Sequence, residues 1–135
     1  EDASDNLTPF QHAIRVNIAA IMTSHAVYPH LDPDIPATLS KKIFSTLLRN
    51  KLGFQGVIMT DDLEMGAIEN NQSIEQAAVS AFLAGSDLRL VCEDHQKSIR
   101  VLKNLTKNFH EGFIPPARIE ESIQRLEIMQ KCFAI

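Results

Sequence analysis

The chain has 135 residues, of which 44% are hydrophobic and 22% charged, a composition typical of one small globular domain and not of a disordered chain. Its formal net charge of −4, with scattered Lys and Arg, argues against nucleic acid or a membrane surface as a partner. No apolar run approaches the roughly 18 residues of a membrane-spanning helix. The acidic opening Glu1-Asp2 is unlike a signal peptide.

Cys92 and Cys132 are the only cysteines and lack the spacing of a metal-binding or redox motif, so we expect neither a disulfide framework nor a zinc site. Two isolated thiols are typical of a reducing compartment, which favours the cytoplasm. A secreted or periplasmic location stays open because position 1 is not Met. We expect no metal ion and no organic cofactor.

Short apolar runs predict three strands that are buried on both faces, as in a parallel sheet. They cover residues 18–22, 57–59 and 88–91. The first strand is followed by a proline-rich loop that excludes a helix.

Helix starts and stops lie between these strands, and together they predict an α/β fold. The predicted starts are a Thr8 cap before Pro9, a Ser40 cap, a Ser73 cap with Gln76 three residues on, a helix over 95–110, and Pro115-Pro116; three predicted ends are Gly53, Gly85 and Gly112. Two architectures fit this alternation: an open doubly wound sheet, or part of a (β/α)8 barrel.

Polar and titratable residues follow each predicted strand. These stretches are Thr23-Ser24-His25, Thr60-Asp61-Asp62 and Cys92-Glu93-Asp94-His95. In both architectures ligands bind at the carboxyl ends of the strands, so these stretches are the candidate site. We interpret Asp94 and His95 as helix-cap and solvent residues.

The segment from Gly53 to Ile68, GFQGVIMTDDLEMGAI, resembles the nucleophile segment of glycoside hydrolase family 3, in its β-N-acetylhexosaminidase subgroup. Four further segments resemble, in order, the family's sixth strand and loop, a helix start, the eighth strand and the closing helix. They are 20–25 with Tyr28-Pro29, 36–40, 84–88, and Arg118-Ile119 with Ser122 and Arg125. The resemblance implies that residues 1–135 form the C-terminal three β/α units of a (β/α)8 TIM barrel, with parallel strands and outer helices, the N-terminal part of the catalytic domain being absent.

The resemblance also implies that Asp61 is the nucleophile of a retaining hydrolase, which releases terminal β-linked N-acetylhexosamine through a covalent glycosyl-enzyme. Strand alternation would turn Asp62 to the opposite side, so we interpret it as a local loop carboxylate. His25 and Met65 are the candidate substrate-binding residues. Each has a structural alternative: orientation of a loop for His25, and packing for Met65.

In this subgroup the resemblance implies a proton donor that is a His–Asp dyad on a loop before residue 1. The chain alone is therefore expected to be inactive and to need the N-terminal part of the barrel or a second chain. Three strands would also leave two sheet edges uncovered, together with the inner faces of Ile21, Met22, Val57 and Met59. The expected substrate is a β-linked N-acetylglucosaminide, such as one from peptidoglycan fragments.

Three alternatives remain at this stage. A β-glucosidase-type member of the family usually carries a Trp after the nucleophile, and this chain has no Trp. A receiver-like or nucleotide-binding module would hold Mg²⁺ at Asp61 and Asp62, but no glycine-rich phosphate loop accompanies them. A catalytically dead piece of barrel wall is the third.

Overall fold

The computed structural model describes residues 5–133, which fold into alternating strands and helices. The elements, in chain order, are α1 (Thr8–Arg15), β1 (Ala20–Met22), β2 (Val27–Tyr28), β3 (Asp32–Pro36), α2 (Lys42–Lys51), β4 (Val57–Asp62), α3 (Gly66–Glu69), α4 (Ile74–Ala84), β5 (Leu88–Leu90), α5 (His95–His110) and α6 (Pro116–Phe133). The helix α2 has the hydrogen bonding of a π-helix. Two short 3₁₀ turns, Asp5–Leu7 and Ala37–Leu39, precede α1 and α2.

The three predicted strands form one parallel sheet in the order β1-β4-β5. Ala20 pairs with Val57, and Met59 pairs with Leu88. Helices lie between the strands along the chain, as parallel strands require. The predicted α/β alternation is therefore confirmed.

The strand boundaries differ from those predicted. β1 begins at Ala20 because the Ile18 N–H bonds back to the Ala13 carbonyl and so closes α1. β4 extends to Asp62, so the predicted polar stretch at its end lies within the strand. The proline-rich loop contains an unpredicted antiparallel pair, β2 and β3.

Most predicted helix ends are confirmed by their hydrogen bonds. Ser73 Oγ accepts from the Gln76 N–H at 3.3 Å, and Ser40 Oγ accepts from the Ile43 N–H at 3.2 Å. The three predicted terminal glycines have positive φ, as a helix C-terminus often demands. The Thr8 cap is wrong: Thr8 is the first residue of α1, and the position before it makes no side-chain cap.

Two apolar clusters fill the space between sheet and helices. The first joins β1 and β4 to α2, and the second joins the end of β4 to α3, α4 and α5; their buried members are Ile21, Phe44, Leu48, Phe54, Ile58 and Ala84, and Leu63, Ile68, Ile74, Ala77, Ala78 and Val101. The expectation that Ile21 and Val57 are uncovered is wrong, because they are only 7% and 0% exposed. Met22 is 51% exposed, as expected.

Gly56 lets β1 lie close to the start of β4. A Cβ at this position would sit 2.5 Å from the Ala19 carbonyl oxygen and 2.6 Å from the Phe54 ring. The Ala19 oxygen accepts from the Val57 N–H at 2.9 Å, the bond that opens the β1–β4 pairing. The glycine before the strand is thus required by the close approach of the two backbones.

No helix within residues 5–133 combines the length and hydropathy needed to cross a bilayer. Cys92 and Cys132 are exposed free thiols.

Apolar side chains are exposed on α5 and α6. Leu102 is 66% exposed and Ile123 49% exposed, beside an open apolar cavity of about 310 Å³ between the two helices. Exposed apolar patches of this kind are unfavourable in water. We therefore expect the bare 135-residue chain to pair with a complementary part, dimerise or aggregate, as measured by light scattering. A monodisperse monomer that melts cooperatively would contradict this expectation.

Candidate active site at the carboxyl ends of the strands

The carboxyl ends of the three parallel strands lie side by side. The Thr23 N–H after β1 donates to the Met59 carbonyl at 2.9 Å, and the Leu63 N–H after β4 donates to the Leu90 carbonyl at 3.0 Å. Partial desolvation and then the nearby carboxylates of Asp62, Glu64 and Asp61 raise the pKa of Cys92. The structure thus brings the predicted polar stretches together.

The end of β4 is irregular. Met59 pairs with Leu88 and Asp62 pairs with Leu90, so β4 advances by three residues over the same stretch in which β5 advances by two. At this point Thr60 Oγ1 accepts from the Leu90 N–H at 3.0 Å, in place of a backbone carbonyl. Bulges of this kind redirect side chains near active sites. Opposite orientations of Asp61 and Asp62 therefore no longer follow from simple alternation.

Asp61 lies within this irregular segment and is half-buried. Its Oδ1 accepts from the Asp62 N–H at 2.8 Å. Within the described part of the chain, no group donates to Oδ2. One carboxylate oxygen is therefore anchored by the backbone, and the other has no hydrogen-bond donor among the described residues.

Asp62 has a local role, in line with the sequence-based interpretation. Its Oδ1 accepts from the Glu64 N–H at 3.1 Å and stabilises the turn after β4. Its carbonyl accepts a hydrogen bond from His25 Nε2.

The predicted site residue His25 is 9% exposed and reaches from the end of β1 to the end of β4. Nε2 lies 2.7 Å from the Asp62 carbonyl oxygen, and Nδ1 lies 3.0 Å from Thr38 Oγ1. Because a carbonyl oxygen only accepts, Nε2 carries a proton and donates it. Both ring nitrogens are thus engaged by protein groups, and a sugar contact by His25 stays a prediction.

The predicted site residue Met65 is 47% exposed and lies between β4 and α3. Its N–H donates to the Asp62 carbonyl at 3.2 Å, which holds it beside the same turn. This exposure argues against a core-packing role, and its contact with a substrate stays a prediction.

Glu64 is a site residue that the sequence analysis missed. Its carboxylate accepts from the Glu93 N–H at 2.6 Å and the Asp94 N–H at 3.1 Å, and it lies 3.4 Å from Lys97 Nζ. The Glu93 N–H, followed by the Asp94 N–H and Lys97, lowers the pKa of Glu64. Glu64 thereby joins the turn after β4 to the start of α5, which Asp94 also caps as predicted. Only the acid in that turn and a Lys in the first turn of α5 hint at this contact in the sequence.

A different network lies at the amino ends of β4 and β5, centred on the Asp87 carboxylate, which is fully buried. Its hydrogen-bond and ion-pair partners are Arg49 (2.8 Å), Ser122 (2.7 Å), Arg125 (3.1 Å), Arg118 (3.4 Å) and the Ile58 N–H (3.0 Å). Burial and then the charge of Arg125 lower the pKa of Arg49 to about 10, so it stays charged at neutral pH. In β/α barrels this end of the strands serves stability.

Parallel strands with polar groups at their carboxyl ends and a structural network at their amino ends are the arrangement found in β/α-type domains. Comparisons with known proteins carry this further. The family model described as "Glycosyl hydrolase family 3 N terminal domain" matches residues 3–129.

Curated relatives agree with this match. The chain is 39% identical over 115 residues to a "Beta-hexosaminidase" of Nitrosomonas eutropha; the aligned region covers 85% of this chain and 32% of the relative. It is 37% identical over 125 residues to a "Beta-hexosaminidase" of Haemophilus influenzae; here the aligned region covers 90% of this chain and 35% of the relative. The chain therefore spans about a third of the length of these relatives.

Solved structures share the fold. A glycoside hydrolase family 3 β-N-acetylglucosaminidase from Paenibacillus sp. str. FPU-7 superposes with a TM-score of 0.90 at 38% identity, over 93% of this chain and 24% of that one. The β-N-acetylglucosaminidase from Thermotoga maritima gives a TM-score of 0.84 at 32% identity, over 91% of this chain and 27% of that one.

The chain belongs to glycosyl hydrolase family 3. The predicted architecture, C-terminal β/α units of a TIM barrel, is confirmed, and the receiver-like alternative is wrong.

Proposed function

We propose that the complete protein is a retaining β-N-acetylhexosaminidase in which Asp61 is the nucleophile. The observation that carries this proposal is the position of Asp61, at the bulged carboxyl end of β4 with one carboxylate oxygen anchored and the other without a donor in the described residues. The names of the curated relatives, β-hexosaminidases, support the same substrate class.

The proposed reaction has two displacements. Asp61 Oδ2 attacks the anomeric carbon, the glycosidic C–O bond breaks, and the leaving oxygen takes a proton from an acid outside this chain. Water then attacks the same carbon and gives a proton back to the group that acted as the acid, the bond between that carbon and Asp61 breaks, and the β-configured sugar is released. Anchoring of Oδ1 restricts the rotation of the carboxylate and so favours this geometry.

The substrate we propose is a terminal β-linked N-acetylglucosaminide, and peptidoglycan fragments are one source of it. The second candidate is a β-glucoside. The absence of Trp from the chain counts against that branch, since its members usually carry a Trp after the nucleophile.

The rest of the barrel, from the same polypeptide or from a second chain, is proposed to supply the proton donor and the remaining sugar contacts. The exposed apolar surface on α5 and α6 supports the need for such a part.

The proposal predicts a trapped intermediate. A slow fluorinated N-acetylglucosaminide, incubated with the complete protein, should leave a covalent sugar on the peptide that contains residues 54–65. Mass spectrometry should locate it on Asp61. An adduct on Asp62, or no adduct together with a product of inverted configuration, would contradict the proposal.

The bare 135-residue chain is the matched control. Without a general acid, whose contribution is typically 10²–10⁴-fold in rate, it should give negligible turnover of aryl β-N-acetylglucosaminides. Robust turnover by the bare chain would show that the rest of the barrel is dispensable.

A further inference from the structure

The backbone of Asp62, the residue directly after Asp61, is held at both its N–H and its carbonyl group. At one end, the Asp62 N–H donates to Asp61 Oδ1 at 2.8 Å. At the other, the Asp62 carbonyl accepts from His25 Nε2 at 2.7 Å. The backbone conformation of Asp62 is therefore coupled both to the Asp61 carboxylate and to His25.

The other side of the His25 ring is anchored in a buried hydroxyl network. Its Nδ1 faces Thr38 Oγ1, which donates to the Ser24 carbonyl at 2.9 Å or to the ring. Thr38 Oγ1 also lies 3.1 Å from Thr23 Oγ1, which donates to the Met59 carbonyl at 3.3 Å. Thr38 is fully buried and Thr23 is 8% exposed, so water does not compete for these bonds.

The network spans the irregular segment of β4. It touches the carbonyls of Met59 and Asp62, the two residues between which the pairing with β5 shifts. A bulge disrupts the regular ladder of backbone bonds locally. Side chains supply hydrogen bonds in their place on both flanks. On the β5 side, Thr60 Oγ1 accepts from the Leu90 N–H, and on the β1 side, His25 donates to the Asp62 carbonyl.

We propose that His25 is a positioning residue, which aims the Asp61 carboxylate by fixing the backbone of Asp62, whose N–H holds Asp61 Oδ1. This inference rests on the proposed role of Asp61 as nucleophile. It differs from a sugar contact, because it uses both ring nitrogens within the protein and predicts a defect in turnover, not in substrate binding.

Two substitutions distinguish the hydrogen bonds made by the two ring nitrogens of His25. In His25→Gln, the amide nitrogen can take the place of Nε2 and donate to the Asp62 carbonyl. In His25→Asn, the shorter amide can reach only toward Thr38. The control pair is His30→Gln and His30→Asn, because His30 lies in the same loop region and is exposed.

The test is steady-state kinetics of the complete protein on an aryl β-N-acetylglucosaminide. His25→Asn should lower kcat roughly 10- to 100-fold, the range expected for a misplacement of about 1 Å, with KM unchanged within about twofold. His25→Gln should recover kcat to within about threefold of wild type. Both His30 variants should match wild type.

Three results would overturn the inference: equal losses in the Gln and Asn variants, no loss in the Asn variant, or a loss carried by KM, which would indicate a sugar contact. The trapping experiment on the wild-type protein keeps the two proposals apart. If wild type shows no adduct on Asp61, the proposed function fails. If wild type is trapped on Asp61 and His25→Asn is trapped equally fast, only the positioning role fails.

Discussion

Asp61→Asn in the complete protein should lower kcat by several orders of magnitude while leaving substrate binding nearly unchanged. The amide keeps the shape of the carboxylate, and its oxygen can still accept from the Asp62 N–H. It lacks the negative charge that forms the bond to the anomeric carbon, so the lost interaction belongs to the transition state. The measurement is kcat and KM on an aryl β-N-acetylglucosaminide, together with a direct binding constant.

Asp62→Asn is the matched control for this substitution. The Asp62 side chain accepts from the Glu64 N–H, and an amide oxygen can do the same. Its effect on kcat should therefore be small beside that of Asp61→Asn. If the two substitutions cost the same, or if Asp62→Asn costs more, the nucleophile has been assigned to the wrong carboxylate.

Much of the fold is predictable because its signals are local. Ser73 and Gly85 delimit α4 through a cap and a positive φ, both of which depend on neighbouring residues alone. The apolar runs identify the parallel strands, since such strands are buried on both faces. The Thr8 cap failed for an equally local reason: a 3₁₀ turn over residues 5–7 runs directly into α1 and leaves no extended cap position.

The arrangement of the site is less predictable because it depends on distant contacts. The resemblance to the family gives Asp61, but the shift between Met59 and Asp62 arises from pairing with β5, about thirty residues further along. His25 has two hydrogen-bond partners, Thr38 and the Asp62 carbonyl, and these lie on two different segments. No spacing rule in one strand or helix indicates such bonds.

The Asp87 network likewise combines local features that the sequence predicts with distant contacts that it does not. Segments around Asp87, Arg118 and Arg125 are recognisable separately as the eighth strand and the closing helix of the family. Their meeting at one buried carboxylate is a property of the folded chain, since it needs α6 to pack across the amino end of the sheet. This contact gives those residues a structural reason for their identities.

Asp87→Asn should destabilise the complete protein by about 3–5 kcal/mol, the cost of leaving buried charges without their partner. The side chains of Arg49, Arg118 and Arg125 are 14%, 13% and 20% exposed, and Asp87 is the acid that all three contact. An amide would still accept hydrogen bonds, but it would not offset the three positive charges. The measurement is the free energy of unfolding from urea titration at neutral pH, compared at equal m-values.

Asp34→Asn is the control, because Asp34 is exposed and surface substitutions usually change stability by less than about 0.5 kcal/mol.

Substitutions at the two ends of the sheet should also differ in whether they change stability or turnover. Because the Asp87 network lies at the amino ends of the strands, the folded fraction of Asp87→Asn should keep a near wild-type kcat, whereas Asp61→Asn should lose kcat and keep its stability. A loss of stability under about 1 kcal/mol in Asp87→Asn would mean that the arginines find other compensation, and that this network is not what holds α6 against the sheet.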